Sequence, residues 1–249
     1  MNTDLQRFWS PSVRELVPYV PGEQPKINNL LKLNTNESPF PPSPRVREAI
    51  VAALGQDGED LRLYPDPDAT TLKAAIAKQQ GLPMEQVFLG NGSDEVLAHI
   101  FVAFFKQAEP LLYPDITYSF YPVYCQLFGI DFIQIPLADD FSIDVSAYQQ
   151  PCGGVILANP NAPTSVLLSL ERIKQLLEMH PHRVVVIDEA YIDYAKDPIA
   201  DCMVDKIREG KNVIILRTMS KLYAFAGMRL GYALGKPELL NPIGKYTMN

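Results

Sequence analysis

Apolar residues in this chain fall in short, nearly unbroken runs separated by stretches of helical spacing, and from residue 87 onward the two alternate regularly. Runs at 87–89, 110–113, 131–135, 154–158, 183–187, 212–216 and 230–234 read as seven strands. Between them, 95–106, a segment around 120–127 and 170–179 carry helical patterning. Strands that are apolar on both faces and alternate with helices predict an α/β fold, with a mainly parallel sheet covered by helices on both faces. In such sheets ligands bind beyond the carboxyl ends of the strands.

The front of the chain reads differently. Prolines crowd residues 11–25 and 39–44, which predicts an extended arm rather than packed elements. Within it, 30–33 predicts a short strand. Helical patterning follows at 45–54 and 70–80, the second with Asp68 or Thr70 as its N-cap.

Composition changes this picture little. The chain has 249 residues, 47% of them hydrophobic, enough for one large core or for one domain and part of another. A net charge of −7 provides no basic field, which argues against nucleic acid or an anionic membrane as partner. Cys125, Cys152 and Cys202 are odd in number, far apart and without a CxxC pair, so neither a disulfide framework nor a zinc site is expected. His99, His180 and His182 form no constellation, and no metal is expected. No apolar run approaches ~18 residues and the first residues lack a basic-then-apolar pattern, so a cytoplasmic location is expected.

The candidate chemistry gathers where the strands end. Lys221 lies in Arg217-Thr-Met-Ser-Lys221, just after one apolar run and eight residues before Arg229. Asp188 closes another, in Asp188-Glu-Ala-Tyr191. A lysine amine, an anion-binding arginine and a carboxylate are what a pyridoxal 5′-phosphate site needs, for the cofactor's aldehyde, phosphate and pyridinium nitrogen respectively. Gly90-Asn-Gly-Ser-Asp-Glu95 opens a helix after a strand, where free amides favour a phosphate. Alone it reads equally well as a plain turn with Ser93 or Asp94 as N-cap. Each of the others also has an ordinary reading: Asp188 and Glu189 as acids at a helix start, Arg229 as half of a surface ion pair, and Tyr118 as core. Of Asp188 and Glu189, only one can point into a site.

Together these residues resemble the fold-type I pyridoxal-phosphate aminotransferases, and within them most nearly the branch acting on histidinol phosphate. The resemblance rests on Arg14-Glu-Leu-Val-Pro-Tyr-Val-Pro-Gly22, Leu33-Asn-Thr-Asn-Glu-Ser-Pro39, Tyr64-Pro-Asp-Pro67, Gly92-Ser-Asp-Glu95, Asn159-Pro-Asn-Ala-Pro-Thr164, Asp188-Glu-Ala-Tyr191, and Arg217-Thr-Met-Ser-Lys221 through Gly231-Tyr232. It implies the large domain of that fold over 46–249, preceded over 1–45 by an arm and the start of a small domain. It implies that Lys221 forms the Schiff base and moves a proton, that Asp188 holds the ring nitrogen, and that Tyr191 bonds the phenolate oxygen. Gly92, Ser93, Asp94, Thr218, Ser220 and Arg229 would line the phosphate, with Tyr118 stacked on the ring. Tyr64 would reach the cofactor of a second subunit in a homodimer, and Tyr19 and Asn36 would lie near the substrate. The implied reaction moves an amino group between L-histidinol phosphate and 2-oxoglutarate. Its rivals are an aromatic-amino-acid aminotransferase, a phosphothreonine-type decarboxylase, or a remnant that binds cofactor without catalysis.

Two departures stand out. Where the family has the asparagine that bonds the phenolate oxygen, this chain has Ala162, and the closing glycine of that turn is Ser165; Asn161 or Asn159 is expected to supply the amide instead. Family members also run roughly a hundred residues further, near the usual size of a domain. A C-terminal truncation is therefore expected, with the small C-terminal domain largely absent and with it the arginine that recognises the substrate's anionic group.

Overall fold

The computed structural model describes residues 5–10, 13, 14, 16, 27 and 31–245. Seven strands form one sheet: β1 (Val87–Asn91), β2 (Leu111–Pro114), β3 (Phe132–Ile135), β4 (Gly154–Ala158), β5 (Val185–Asp188), β6 (Val213–Thr218) and β7 (Leu230–Leu234). Their order is β1-β7-β6-β5-β4-β2-β3. β7 pairs antiparallel with both β1 and β6, and every other pairing is parallel. Six strands therefore end at the same edge, and β7 begins there.

Successive side chains in a strand point to opposite faces, so residues apolar at every position build two cores. On one face Val155, Leu157, Val185, Ile187, Val213 and Ile215 meet helices α2 (Thr70–Gln80), α5 (Leu170–Met179) and α6 (Val204–Arg208). On the other, Ile156, Val186, Ile214 and Leu216 meet α3 (Ser93–Ile100), α4 (Tyr121–Phe128) and α7 (Pro237–Gly244). α5 starts where its sequence says it should: Ser169 is the N-cap and accepts a hydrogen bond from the Arg172 amide. α2 has Ala69 at its N-cap position, with neither Asp68 nor Thr70 as cap. The Asp66 carboxylate accepts from the Thr70 amide, satisfying the helix start from one turn further back. α1 (Pro44–Ala53) buries none of its residues.

The short strand expected at 30–33 is not present in residues 31–33, where Leu31 and Leu33 are exposed. A strand needs a partner to satisfy its backbone, and the sheet's edges are β1 and β3. His180 proves structural, its ring placed between the Cys152 thiol and the Tyr148 carbonyl.

One charged pair sits inside the fold. Glu189 Oε2 accepts from Arg217 Nε at 2.9 Å and Nη2 at 2.8 Å, and Glu189 Oε1 accepts from the Met203 amide at 2.7 Å. Both side chains are buried. Burial raises the Glu189 pKa against the opposing pull of Arg217. Removing one partner leaves a buried charge unmatched, so Arg217→Met is expected to lower stability by about 3–5 kcal/mol, and Arg217→Met with Glu189→Met to recover most of that. Urea titrations with unchanged slopes check this; a loss below about 1 kcal/mol in Arg217→Met would contradict it.

Candidate active site

At the edge where the six strands end, a cavity of about 410 Å³ is lined by residues from several segments distant in sequence. β5 ends in Asp188 and leads to Ala190 and Tyr191; β6 ends in Thr218 and leads to Ser220 and Lys221. The loop after β1 starts α3 with Ser93 and Asp94, Arg229 immediately precedes β7, and Thr35 and Glu37 come from the N-terminal segment. The short antiparallel return of β7 is what delivers Arg229 to the same edge as the others.

Strand alternation separates the two acids. Asp188 takes the face of Val186, where Tyr121 packs, whereas Glu189 takes the face of Ile187 and is occupied by Arg217. Tyr121 donates its hydroxyl proton to Asp188 Oδ2 at 3.1 Å, and the Ala190 amide donates to Oδ1 at 3.1 Å. No lysine or arginine among the described residues is ion-paired with Asp188. Loss of water outweighs these two hydrogen bonds and pushes the carboxyl up to about 6, with Asp94 and Glu189 adding smaller repulsions. A buried carboxylate that lacks a cation fits a pyridinium N–H, which supplies both charge and donor.

The opposite end suits an anion. α3 presents its first amides to the cavity beside Ser93 and Asp94. Gly92 has φ +88°, and a Cβ there would overlap the Arg229 guanidinium; one at Gly231 would overlap the Ser93 amide. The glycines thus let two backbone segments and an arginine crowd together. Arg229 pairs with Asp94 Oδ2 at 3.2 Å, and the Tyr118 hydroxyl donates to Asp94 Oδ1 at 2.9 Å. The Asp94 carboxylate is thereby directed at protein groups, leaving the helix amides for a ligand. The Tyr118 ring meets Tyr121 edge-on, with centroids 5.5 Å apart; burial, then Asp94, raises its hydroxyl pKa. The Thr218 hydroxyl donates to Ser220 Oγ at 3.0 Å and accepts from the Ser220 amide at 3.1 Å.

Between the two ends stands the amine. Lys221 Nζ donates to the Thr35 carbonyl at 3.1 Å and lies 5.6 Å from the centre of the Tyr191 ring. Asn36 Nδ2 donates to the Tyr191 hydroxyl at 3.0 Å. Lys221, Asp188, Tyr191, Ser93, Asp94, Tyr118, Thr218, Ser220 and Arg229 thus share one cavity. A lining that holds a buried carboxylate, an amine and a helix start suits a flat, anionic, aldehyde-bearing ring.

Other expected residues stand elsewhere. Asn161 lines a neighbouring cavity rather than this one. Its Oδ1 accepts from the Thr117 hydroxyl, and its Nδ2 donates to the Ile116 carbonyl and to Thr164 Oγ1. Asn159 is spent on both backbone groups of Leu168. The amide expected from this turn is therefore not offered to the cavity by either residue; Ala162 lines it instead. Tyr64 is fully exposed and does not line the cavity. Tyr19 lies outside the described residues. Two further residues belong to the site without a signal in the sequence: Tyr121, whose fully buried ring is patterned like any core aromatic, and Thr35, which acts through its backbone.

The family model for aminotransferase class I and II matches residues 28–247. A histidinol-phosphate aminotransferase from Acinetobacter baumannii is 60% identical over 96% of this chain, and one from Acetobacter pasteurianus is 55% identical over 95%. The chain spans 65% and 64% of the length of these relatives. The crystal structure of histidinol-phosphate aminotransferase from Sinorhizobium meliloti in complex with pyridoxal-5′-phosphate superposes with a TM-score of 0.74 at 30% identity, covering 86% of this chain and 58% of that one.

The Asp188 environment gives a pH signature. Its folded-state pKa of about 6 lies above the ordinary 3.8, so its contribution to stability is fully present below that ordinary value and is lost as pH rises through about 6. In the ligand-free chain, Asp188→Asn is expected to remove a stability decline on the order of 3 kcal/mol between about pH 4 and pH 7. Urea midpoints across that window check it; parallel pH profiles for the two proteins would contradict it.

Proposed function

Since the chain belongs to the class I and II aminotransferase family, we propose that it carries the cofactor site of a pyridoxal 5′-phosphate-dependent aminotransferase acting on L-histidinol phosphate, with 2-oxoglutarate as amino acceptor. The convergence of Lys221, Asp188 and Arg229 on one cavity supports the cofactor. The names of the relatives at 55–60% identity support the amino donor. Both substrates are small molecules, in keeping with a net charge of −7 that offers no basic field for nucleic acid. The place of work proposed is the cytoplasm; no helix among the described residues is long and apolar enough to cross a membrane.

When bound, the cofactor supplies an electron sink for a carbanion next to the substrate's amine. The protein's part is to bind, orient and move protons. Lys221 Nζ would hold the aldehyde, and a lysine amine at that position could also carry a proton from the substrate's α-carbon. Asp188 holds the ring nitrogen protonated, and its raised pKa falls once a positive N–H faces it. The first amides of α3, the Thr218 and Ser220 hydroxyls and the Arg229 guanidinium hold the phosphate. Gly92 takes part by leaving room for Arg229. Tyr118 covers one face of the ring, and Tyr191 directs its hydroxyl to the phenolate oxygen. Tyr64, exposed in a single chain, is proposed to complete the phosphate site of a second copy in a homodimer.

Absorbance with added pyridoxal 5′-phosphate tests this reading. A band near the visible edge is expected, and Lys221→Ala is expected to abolish it. Histidinol phosphate is expected to bleach that band faster than phenylalanine or phosphothreonine. Absence of the band contradicts the cofactor assignment; faster bleaching by another donor contradicts the substrate.

A further inference from the structure

The N-terminal segment reaches the cavity by two different means at adjacent residues. Thr35 offers its backbone carbonyl to Lys221 Nζ at 3.1 Å. Asn36 offers its side-chain amide to the Tyr191 hydroxyl at 3.0 Å. The angle that sets the Thr35 carbonyl against the Asn36 side chain is the φ of Asn36, and it is +52°. That left-handed conformation is disfavoured for most side chains but tolerated by asparagine, and such outliers concentrate where geometry serves a site. Within the segment, Lys32 and Glu37 form an ion pair at 2.7 Å, and the Ser38 hydroxyl donates to the Phe40 carbonyl.

The turn after β4 makes this contact consequential. Ala162 lines the cavity with no donor, while the Asn159 and Asn161 amides are engaged by neighbouring protein groups. Tyr191 places its ring 5.6 Å from Lys221 Nζ, and the orientation of its hydroxyl depends on what it accepts from. A hydroxyl carries one proton and accepts on its lone pairs. When Tyr191 accepts from Asn36, its own proton is left to be donated elsewhere, and a donor that is itself hydrogen-bonded donates more strongly.

We propose that Asn36 is a positioning residue: its amide fixes the Tyr191 hydroxyl so that the proton is donated into the cavity, toward the phenolate oxygen of the bound cofactor, replacing the amide that Ala162 does not supply. The proposal rests on the cofactor reading above. Its consequence is that the N-terminal segment, and not the turn after β4, tunes the lysine–cofactor linkage. Losing the Asn36 bond weakens stabilisation of the negative oxygen, so the linkage nitrogen holds its proton to higher pH.

The test is a pH titration of the absorbance band in the cofactor-loaded chain. Asn36→Gly keeps the left-handed backbone accessible and removes the amide; Asn36→Asp keeps the size of the side chain and removes the donor. Each is expected to raise the apparent pKa of the band by about half to one unit, the worth of one hydrogen bond. Tyr191→Phe is expected to raise it too, and Asn36→Gly in that background to add nothing further. A titration unchanged in Asn36→Gly while Tyr191→Phe moves it overturns the proposal. So does a shift confined to the glycine variant, which marks loosened backbone, or a shift that adds to that of Tyr191→Phe. If the unaltered chain forms no band, the cofactor reading itself fails and takes this proposal with it.

Discussion

A carboxylate at the end of a buried parallel strand is costly unless something positive meets it, and Asp188 is placed there with one tyrosine hydroxyl and one backbone amide as partners. The neighbouring acid shows the alternative. Glu189, one residue further and on the other face, is matched by Arg217 and knits β5 to β6 inside the protein. Two adjacent acids thus meet opposite fates through the two-residue period of a strand. One consolidates the fold; the other keeps an electrostatic need that a pyridinium nitrogen satisfies.

The other contacts of the cavity follow from where the sheet ends. Parallel strands deliver Asp188 and Thr218 to one edge, and the loops beyond them carry Tyr191 and Lys221. The reversal of β7 brings Arg229 back to that edge, against the start of α3, and glycines at 92 and 231 allow the approach. The result is a cavity with hydrogen-bond donors and an arginine for an anion, a buried carboxylate for a cation, and an amine in the same lining. The N-terminal segment crosses this arrangement from outside the sheet and touches both the amine and the tyrosine beside it.

Much of this was legible in the sequence because buried parallel strands advertise themselves as apolar runs. All seven strands lie within about two residues of the runs that predicted them, and α5 coincides with its helical pattern because Ser169 supplies a side-chain cap. The motifs at strand ends were legible for the same reason. What escaped were features set by packing rather than pattern. The direction of β7 depends on a short connection that sequence spacing does not reveal. Tyr121 looks like core and is core, yet its hydroxyl reaches Asp188. Asn161 has the right side chain at the right turn, but Thr117, Ile116 and Thr164 claim its amide first. The run at 30–33 has strand propensity, and its described residues pair with no edge.

The most direct test of the account is the identity of the residue that bonds the cofactor. Borohydride reduction of the chain loaded with pyridoxal 5′-phosphate, followed by proteolysis and mass spectrometry, locates that bond permanently. One phosphopyridoxyl group per chain is expected, on the peptide that contains Lys221 and on that residue. A label on another lysine, or spread over several, would contradict it.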